Sequence, residues 1–420
     1  MFYFYPMAGN QQATQVIDHL FRNEFGKAVA YLTGKFGPGH LSAAEDAVQD
    51  ALMKAMQSWP FGTIPDNPTA WIIRVANNKL IDQLRRQQKV YYATQLPDTP
   101  EEAPVISDDL FKDEMVKMMF ACCNPAMSTE HQLILTLKIL GGLSIREIAA
   151  ALLKKEETIA KAYTRAKKKF KEENPVLEIP TKGEIQNRLA VVLKVLYLLF
   201  NEGYKCTEGD QLIRKELCEE AMRLNHILLD KPETNNEWTR AHMALMHYHV
   251  ARFSARTDIS GEAISLKLQD RSKWDARHIE LGNRYLNTIP EGYNNEYFIQ
   301  AAISGIHVNA RSYEQTDWAG ILTLYNLLYS LKPNPLIALY RIIPVAMTHG
   351  PEVALSELSK LEEEPLLNHN HLLAATRAEL YCQMADWPKA KTALLEAIQK
   401  AENDKEKAFL NRKLVSITSN

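Results

Sequence analysis

The residues of this chain best suited to chemistry are cations. Between Gly141 and Lys171, in GGLSIREIAAALLKKEETIAKAYTRAKKKFK, nine Lys and Arg stand against three Glu, a local charge of +6 in a chain of net charge −2. A patch of that size displaces counterions from a phosphate backbone, so its chemistry is salt-sensitive nucleic-acid binding. A lysine run taken alone is as often a solvated helix end. Here the run has a setting. Ser144 and Glu147 have the spacing of a capping box, which starts a helix at Ile145. Ile148, Ala149 and Leu152 give that helix an inner face. A second helix begins near Glu156, with Glu156 and Glu157 at the positive end of its dipole and Lys167, Lys168 and Lys169 at the negative end. The layout is a helix-turn-helix.

A second cationic segment, NPTAWIIRVANNKLIDQLRRQQK (67–89), reads as a helix begun by Pro68. Its inner stripe is Trp71, Ile72, Val75, Leu80, Ile81 and Leu84, and its other face carries Arg74, Asn77, Asn78, Lys79, Arg85, Arg86 and Lys89. Two successive asparagines are poor helix formers, and hydrogen bonding to base edges or backbone is a reason for them to be there. By itself the segment is an ordinary amphipathic helix. Just upstream, AEDAVQDALMKAMQSW puts Asp46, Gln49 and Asp50 one turn apart on a polar face, opposite Val48, Ala51, Leu52, Ala55 and Trp59. An acidic stripe beside a basic helix points to two partners, a basic protein surface and phosphate.

Other constellations are weaker. There is no phosphate-binding Gly-rich loop, no nucleophile with a spaced base and no pair of carboxylates in an apolar run, so no catalytic residues, cofactor or enzymatic activity are expected. The adjacent Cys122 and Cys123 could sense oxidants or metal, but no second ligand pair stands at metal spacing, and buried free cysteines usually act as small hydrophobes. His242, His247 and His249 cluster, yet the last two fall on different faces of a helix, and no metal site is expected.

The elements that must position these residues are helices. Helical periodicity runs throughout and no alternating stretch would build a sheet, so the chain is read as all-α, and 420 residues imply two or three domains. Residues 11–91 form one helical unit. Residues 92–109 form an acidic linker, in which ATQLPDTPEEAPVISDD holds three prolines, five acids and no base. Residues 110–172 form a second unit, and NPVLEIPTKG marks a further break. From 184 to 420 the chain reads as stacked helical hairpins, and Ala378, Tyr381, Ala390, Leu394 and Ala397 have tetratricopeptide spacing. FNEGYKCTEGD and DRSKWD carry polar residues that a packing repeat does not need, which suggests an intramolecular interface. Residues 1–171 hold 21 Lys and Arg against 18 Asp and Glu, and the remainder 28 against 33, so nucleic-acid contacts belong in the N-terminal part. Five scattered cysteines, no basic n-region and no apolar run of ~18 residues point to a cytoplasmic protein without a membrane partner.

The order AEDAVQDAL, PDNPTAWIIRVANNKLIDQLRR, acidic linker, LSIREIAAALLKKEETIAKAYTRAKKKF resembles regions 2 and 4 of an extracytoplasmic-function sigma factor. MMFACCNPAMS, LLFNEGYKCTEGDQLIRKELCEEAMRL, ARTDISGEAISLKLQDRSKWD and TDWAGILTLYNLLYSLKPNP are similar to the subgroup with a long tetratricopeptide-like C-terminal extension. The resemblance implies a region 2 helical bundle, a region 4 helix-turn-helix and a fused helical regulatory domain. It implies that Asp46, Gln49 and Asp50 dock on the β′ clamp of core RNA polymerase, with the β flap a further contact. Arg74, Asn77, Asn78, Arg85 and Arg86 would engage the minus-10 element of promoter DNA, and Arg146, Thr158, Lys161, Thr164 and Arg165 the minus-35 element. Lys155 stands where the motif usually caps its helix with Ser or Thr, and Leu153 where it often has Gly. The implied function is promoter-specific initiation of transcription, with the C-terminal array open to a signal protein or an intramolecular contact. The rival is a stand-alone ligand- or partner-responsive helix-turn-helix regulator, which needs neither the Asp46 stripe nor the Asn77–Asn78 helix.

Overall fold

The computed structural model describes residues 24–59, 65–88, 108–152, 154–174, 176–204, 215–259, 262–290, 292–368, 370–401 and 404–418. Among them the secondary structure is helical, apart from one isolated antiparallel bridge between Thr257 and Ala263. The all-α expectation is met. The chain divides into two compact units, one made of residues up to Gly203 together with 215–234, the other of Tyr204 together with the residues from Asn235 onward.

The first unit opens with α1 over residues 24–36, then α2 (Leu41–Ser58), α3 (Pro68–Gln88), α4 (Asp108–Cys122) and α5 (Thr129–Ile139). After these come α6 (Ile145–Ala151), α7 (Glu156–Glu173), α8 (Lys182–Tyr204) and α9 (Lys215–Leu229). The expected linker lies mostly outside the described residues, including Asp98, Glu101 and Glu102, whereas Asp108 and Asp109 already belong to α4. The segments on either side of it share one core. A Cβ on Gly26 of α1 would lie 3.0 Å from the carbonyl oxygens of both Ile139 and Leu140, and one on Gly34 would meet the Glu114 carboxyl. Glycine at 26 lets the backbone of α1 press directly on the end of α5, and glycine at 34 leaves room for the Glu114 carboxyl of α4.

The helices beyond the second break join the same unit. Leu199 of α8 packs toward Gly141, and the Cys218 thiol of α9 donates to the Phe200 carbonyl at 3.4 Å. Lys112 and Asp113 of α4 pair with Asp230 and Lys231 at 2.6 and 2.5 Å. Glu220 is buried on α9, where Arg223 donates to both its oxygens at 2.7 and 2.6 Å.

The second unit runs through α10 (Glu237–Val250), α11 (Ala276–Asn287), α12 (Glu296–Asn309), α13 (Trp318–Leu331) and α14 (Pro335–His349). It continues with α15 (Pro351–Ser359), α16 (His371–Gln383), α17 (Trp387–Lys400) and α18 (Asp404–Thr418). Helices of this unit are capped by Asn and Asp: Asn236, Asp275, Asn295, Asp317, Asn334, Asn370 and Asp386 each accept a hydrogen bond from a backbone N–H of the helix that follows. Ala378, Ala390, Ala393 and Ala397 are buried at the seam of α16 and α17, with Leu394 beside them and Tyr381 against the cluster. In DRSKWD, Arg271 donates to the carbonyls of His307 and Ala310, both at 2.7 Å, and lies over the Trp274 ring at 4.5 Å. That segment therefore stitches the array to itself.

Candidate polymerase and promoter interface

The helix-turn-helix forms as its residues dictate. The Ser144 amide donates to Glu147 Oε2 at 2.8 Å and the Glu147 amide to Ser144 Oγ at 3.2 Å, closing the capping box. Lys155 occupies the N-cap of α7 in extended conformation and supplies no side-chain cap; Glu156 and Glu157 complement the dipole there. Leu153 lies outside the described residues.

Around α7, Thr158, Lys161, Thr164, Arg165 and Lys168 are exposed, whereas Ile159, Ala162, Tyr163, Ala166 and Phe170 are buried. At 3.6 residues per turn the exposed set covers an arc of roughly 120° opposite the buried one. Arg146 is exposed on α6. The basic run is not uniform, because Lys154, Lys167 and Lys169 are held by Glu130, Glu45 and Glu173 at 2.7, 3.0 and 2.5 Å. Lys155, Lys161, Arg165 and Lys168 make no ion pair among the described residues and carry the phosphate-binding capacity of the motif.

On α3, Arg74, Asn78 and Arg86 are exposed and Arg85 is half-buried. Arg74, Asn78 and Arg85 fall on one face over ~16 Å of helix. Asn77 differs: it is half-buried, and its Oδ1 is turned inward without a hydrogen-bond partner. The apolar stripe opposite is deeper than the sequence reading gave, since Ile73 and Ala76 are buried together with Ile72 and Leu80. Trp59 of α2 meets Trp71 edge-on, with ring centroids 5.4 Å apart.

On α2, Asp46 is exposed and Gln49 and Asp50 are partly so, while Val48, Ala51, Leu52, Ala55 and Trp59 are buried. Asp50 is paired with Lys79 of α3, which ties the acidic stripe to the basic helix.

The feature absent from the sequence reading is Glu45. It is 3% exposed, accepts a hydrogen bond from the Tyr163 hydroxyl and pairs with Lys167 at 3.0 Å. Both partners come from α7, 118 and 122 residues away. Burial, together with the Glu45 carboxylate, pushes the Tyr163 phenol far above its usual range, so it stays a proton donor. Next to Asp46 in AED, Glu45 looks like one more member of the polar stripe; only the fold of α7 against α2 distinguishes them.

Cys122 and Cys123 are fully buried, and burial raises both thiols, Cys123 to about 12. They are uncharged core residues. His242 and His249 are held at about 3 by burial. His247 lies with its Nδ1 2.8 Å from Nδ1 of His278, a pairing not legible in the sequence. No group of three or more possible metal ligands occurs among the described residues.

Three family matches follow one another along the first 289 residues. Residues 21–90 match Sigma-70 region 2, residues 118–170 match Sigma-70, region 4, and residues 188–289 match a family of unknown function (DUF6596). An uncharacterized protein of Rhizobium meliloti (strain 1021) is 34% identical over 389 residues, covering 89% of this chain and 90% of that protein. No solved structure matches. The region 2 match contains α1 to α3, and the region 4 match contains the helix-turn-helix. With those two regions in that order and the extension behind them, the chain belongs to the sigma-70 factors of extracytoplasmic-function type that carry a C-terminal helical extension.

Proposed function

We propose that this sigma factor docks on the polymerase β′ clamp through Asp46, Gln49 and Asp50 and engages the minus-10 element through Arg74, Asn78, Arg85 and Arg86, with Asn77 beside them. In the same reading Arg146, Thr158, Lys161, Thr164 and Arg165 read the minus-35 element, with the β flap supporting that region. The fused second unit regulates these contacts. The observation that carries the proposal is the arrangement on α2: an exposed acid stripe, a cationic helix tied to it by Asp50 and Lys79, and a second helix with a cationic outer arc. A regulator binding an operator alone has no use for the stripe.

The same arrangement implies a movement. Helices α3 and α7 both pack on α2, and packed axes lie 8–10 Å apart, so the two readers are at most about 20 Å apart where they flank it. Elements centred at minus 10 and minus 35 are about 25 base pairs apart, or ~85 Å of duplex. The first unit must therefore open between α2 and α7 for both to be read, and Glu45, Tyr163 and Lys167 are the contacts that part.

The test is transcription in vitro with purified core polymerase and this chain. Promoter-dependent initiation is expected, with weak duplex binding by the chain alone. Tight, sequence-specific duplex binding without polymerase, and no initiation with it, would sink the reading.

A further inference from the structure

The second unit holds a cavity of about 800 Å³ that none of the promoter or polymerase contacts uses. It is walled by α12 to α14, α16, α18, Asp258 and residues 263–268. Its lining is graded. Trp318, Ile321 and Ile417 are buried at its floor, whereas Lys267 and Arg412 are exposed and Lys413 half-exposed at its rim. The walls are fastened: Arg412 of α18 pairs with Asp258 at 3.3 Å and with Glu262, and donates to the Ala263 carbonyl at 3.2 Å. These contacts tie residues about 150 positions apart.

One cation of the lining has no direct ion pair among the described residues. The cavity's acids are Asp258 and Glu379, and each is occupied, by Arg412 and Lys413 respectively. Lys267 makes no direct ion pair among the described residues, although its charge reaches the Glu379 and Glu314 carboxylates; its ammonium lies 5.9 Å from the centroid of the Tyr313 ring. His307 also lines the space, and its Nδ1 is buried without a hydrogen-bond partner. Buried polar atoms are normally satisfied, so this one is available to a bound group. Burial lowers the imidazole to about 4, leaving it neutral near pH 7. Cavities of a few hundred to a thousand Å³ with mostly apolar walls and a few convergent polar groups have the build of small-molecule sites.

We propose that the second unit binds a small amphipathic carboxylate, its apolar body seated over Trp318, Ile321 and Ile417 and its acid head at Lys267. Burial of the body supplies the affinity, because removing apolar surface from water is favourable in proportion to the area covered. The head supplies the selection: Arg412 and Lys413 are each engaged by an acid, whereas Lys267 is the lining cation without a direct ion pair among the described residues, so the head position presents an ammonium that attracts an anion and repels a cation. The site is built within the second unit, so its occupancy does not depend on the promoter reading.

The full-length chain is titrated with 8-anilinonaphthalene-1-sulfonate, which combines an aromatic body with an anionic group and fluoresces when desolvated. The bound dye is then displaced with dodecanoate, dodecanol and dodecyltrimethylammonium. Saturable dye binding is expected, with dodecanoate displacing it at about three- to tenfold lower concentration than dodecanol. The ammonium is expected to be the weakest competitor. Lys267→Ala, at an exposed position, should remove the advantage of dodecanoate over dodecanol and leave dodecanol unchanged. Ser416→Trp, filling the cavity from an exposed position on α18, should abolish dye binding with helix content unchanged by circular dichroism. Tyr340→Ala, at a half-exposed lining residue, is the second variant and should weaken dye and both C12 competitors alike. The proposal is overturned by absence of saturable dye binding, by dye binding that neither Ser416→Trp nor Tyr340→Ala alters, or by dodecyltrimethylammonium competing as well as dodecanoate.

Discussion

At the level of single residues, the first unit separates two kinds of polar side chain that the sequence leaves alike. Exposed ones face outward. Asp50→Arg is expected to weaken holoenzyme formation roughly tenfold, because it reverses a charge in the stripe and also repels Lys79, its neighbour on α3. Native gel titration of core polymerase measures this. The double substitution Lys161→Ala and Arg165→Ala should lower holoenzyme occupancy on promoter DNA and flatten its salt dependence by about two in log–log slope, one per lost phosphate contact. Unchanged occupancy would mean that α7 does not face the DNA. Glu45 faces inward. Tyr163→Phe leaves this buried carboxylate short of a donor at a cost of about 1–3 kcal/mol. A fluorophore pair at Ser42 and Lys168 should therefore report a larger separation in the free variant than in the parent. The outward cations were legible because net charge and helical spacing mark them. Glu45 was not, because its identity as a clasp depends on a partner more than a hundred residues away.

Individual helices were the most legible part. The capping box, the start of α7 at Glu156, the start of α3 at Pro68 and the alanine seam of α16 and α17 all rest on local spacing, and local spacing is what a sequence records. Ser144→Ala should cost about 1 kcal/mol, seen as a lower urea midpoint for the first unit. What the sequence conceals is which helices touch. Gly26 and Gly34 look like ordinary helix-weakening glycines, yet they set how closely α1 approaches α4 and α5. Gly26→Ala should destabilise the first unit by about 1–3 kcal/mol, since backbone carbonyls 3.0 Å away cannot move aside as a flexible side chain would.

Across the whole molecule, the second unit carries its own pH dependence. His242 and His249 are held at about 3 and His307 at about 4 by burial, below the ordinary value of 6.5. The unfolded chain therefore binds more protons than the folded one below pH 6.5. Stability is complete above that value and is lost as the pH falls toward 3–4, at about 2 kcal/mol per histidine by pH 5. Urea unfolding followed by tryptophan fluorescence at pH 7 and pH 5 should show the midpoint falling; an unchanged midpoint would refute neutral burial of these rings. The placement of α8 and α9 bears on how the protein can be taken apart. The DUF6596 match, residues 188–289, begins inside the first unit and ends inside the second. A cut near Pro180, where the prolines suggest a seam, would not release a sigma module from a regulator. It would strip two helices from the first unit and expose the face of α4 on which α9 packs and the turn at Gly141 that Leu199 covers. Residue 234 is the structural scissor point, and a protein ending there should stay monomeric and helical where one ending at 180 aggregates. The extension thus has a graft union of its own inside the first unit, and loss-of-function after a shorter truncation would report unfolding, not the removal of a signal.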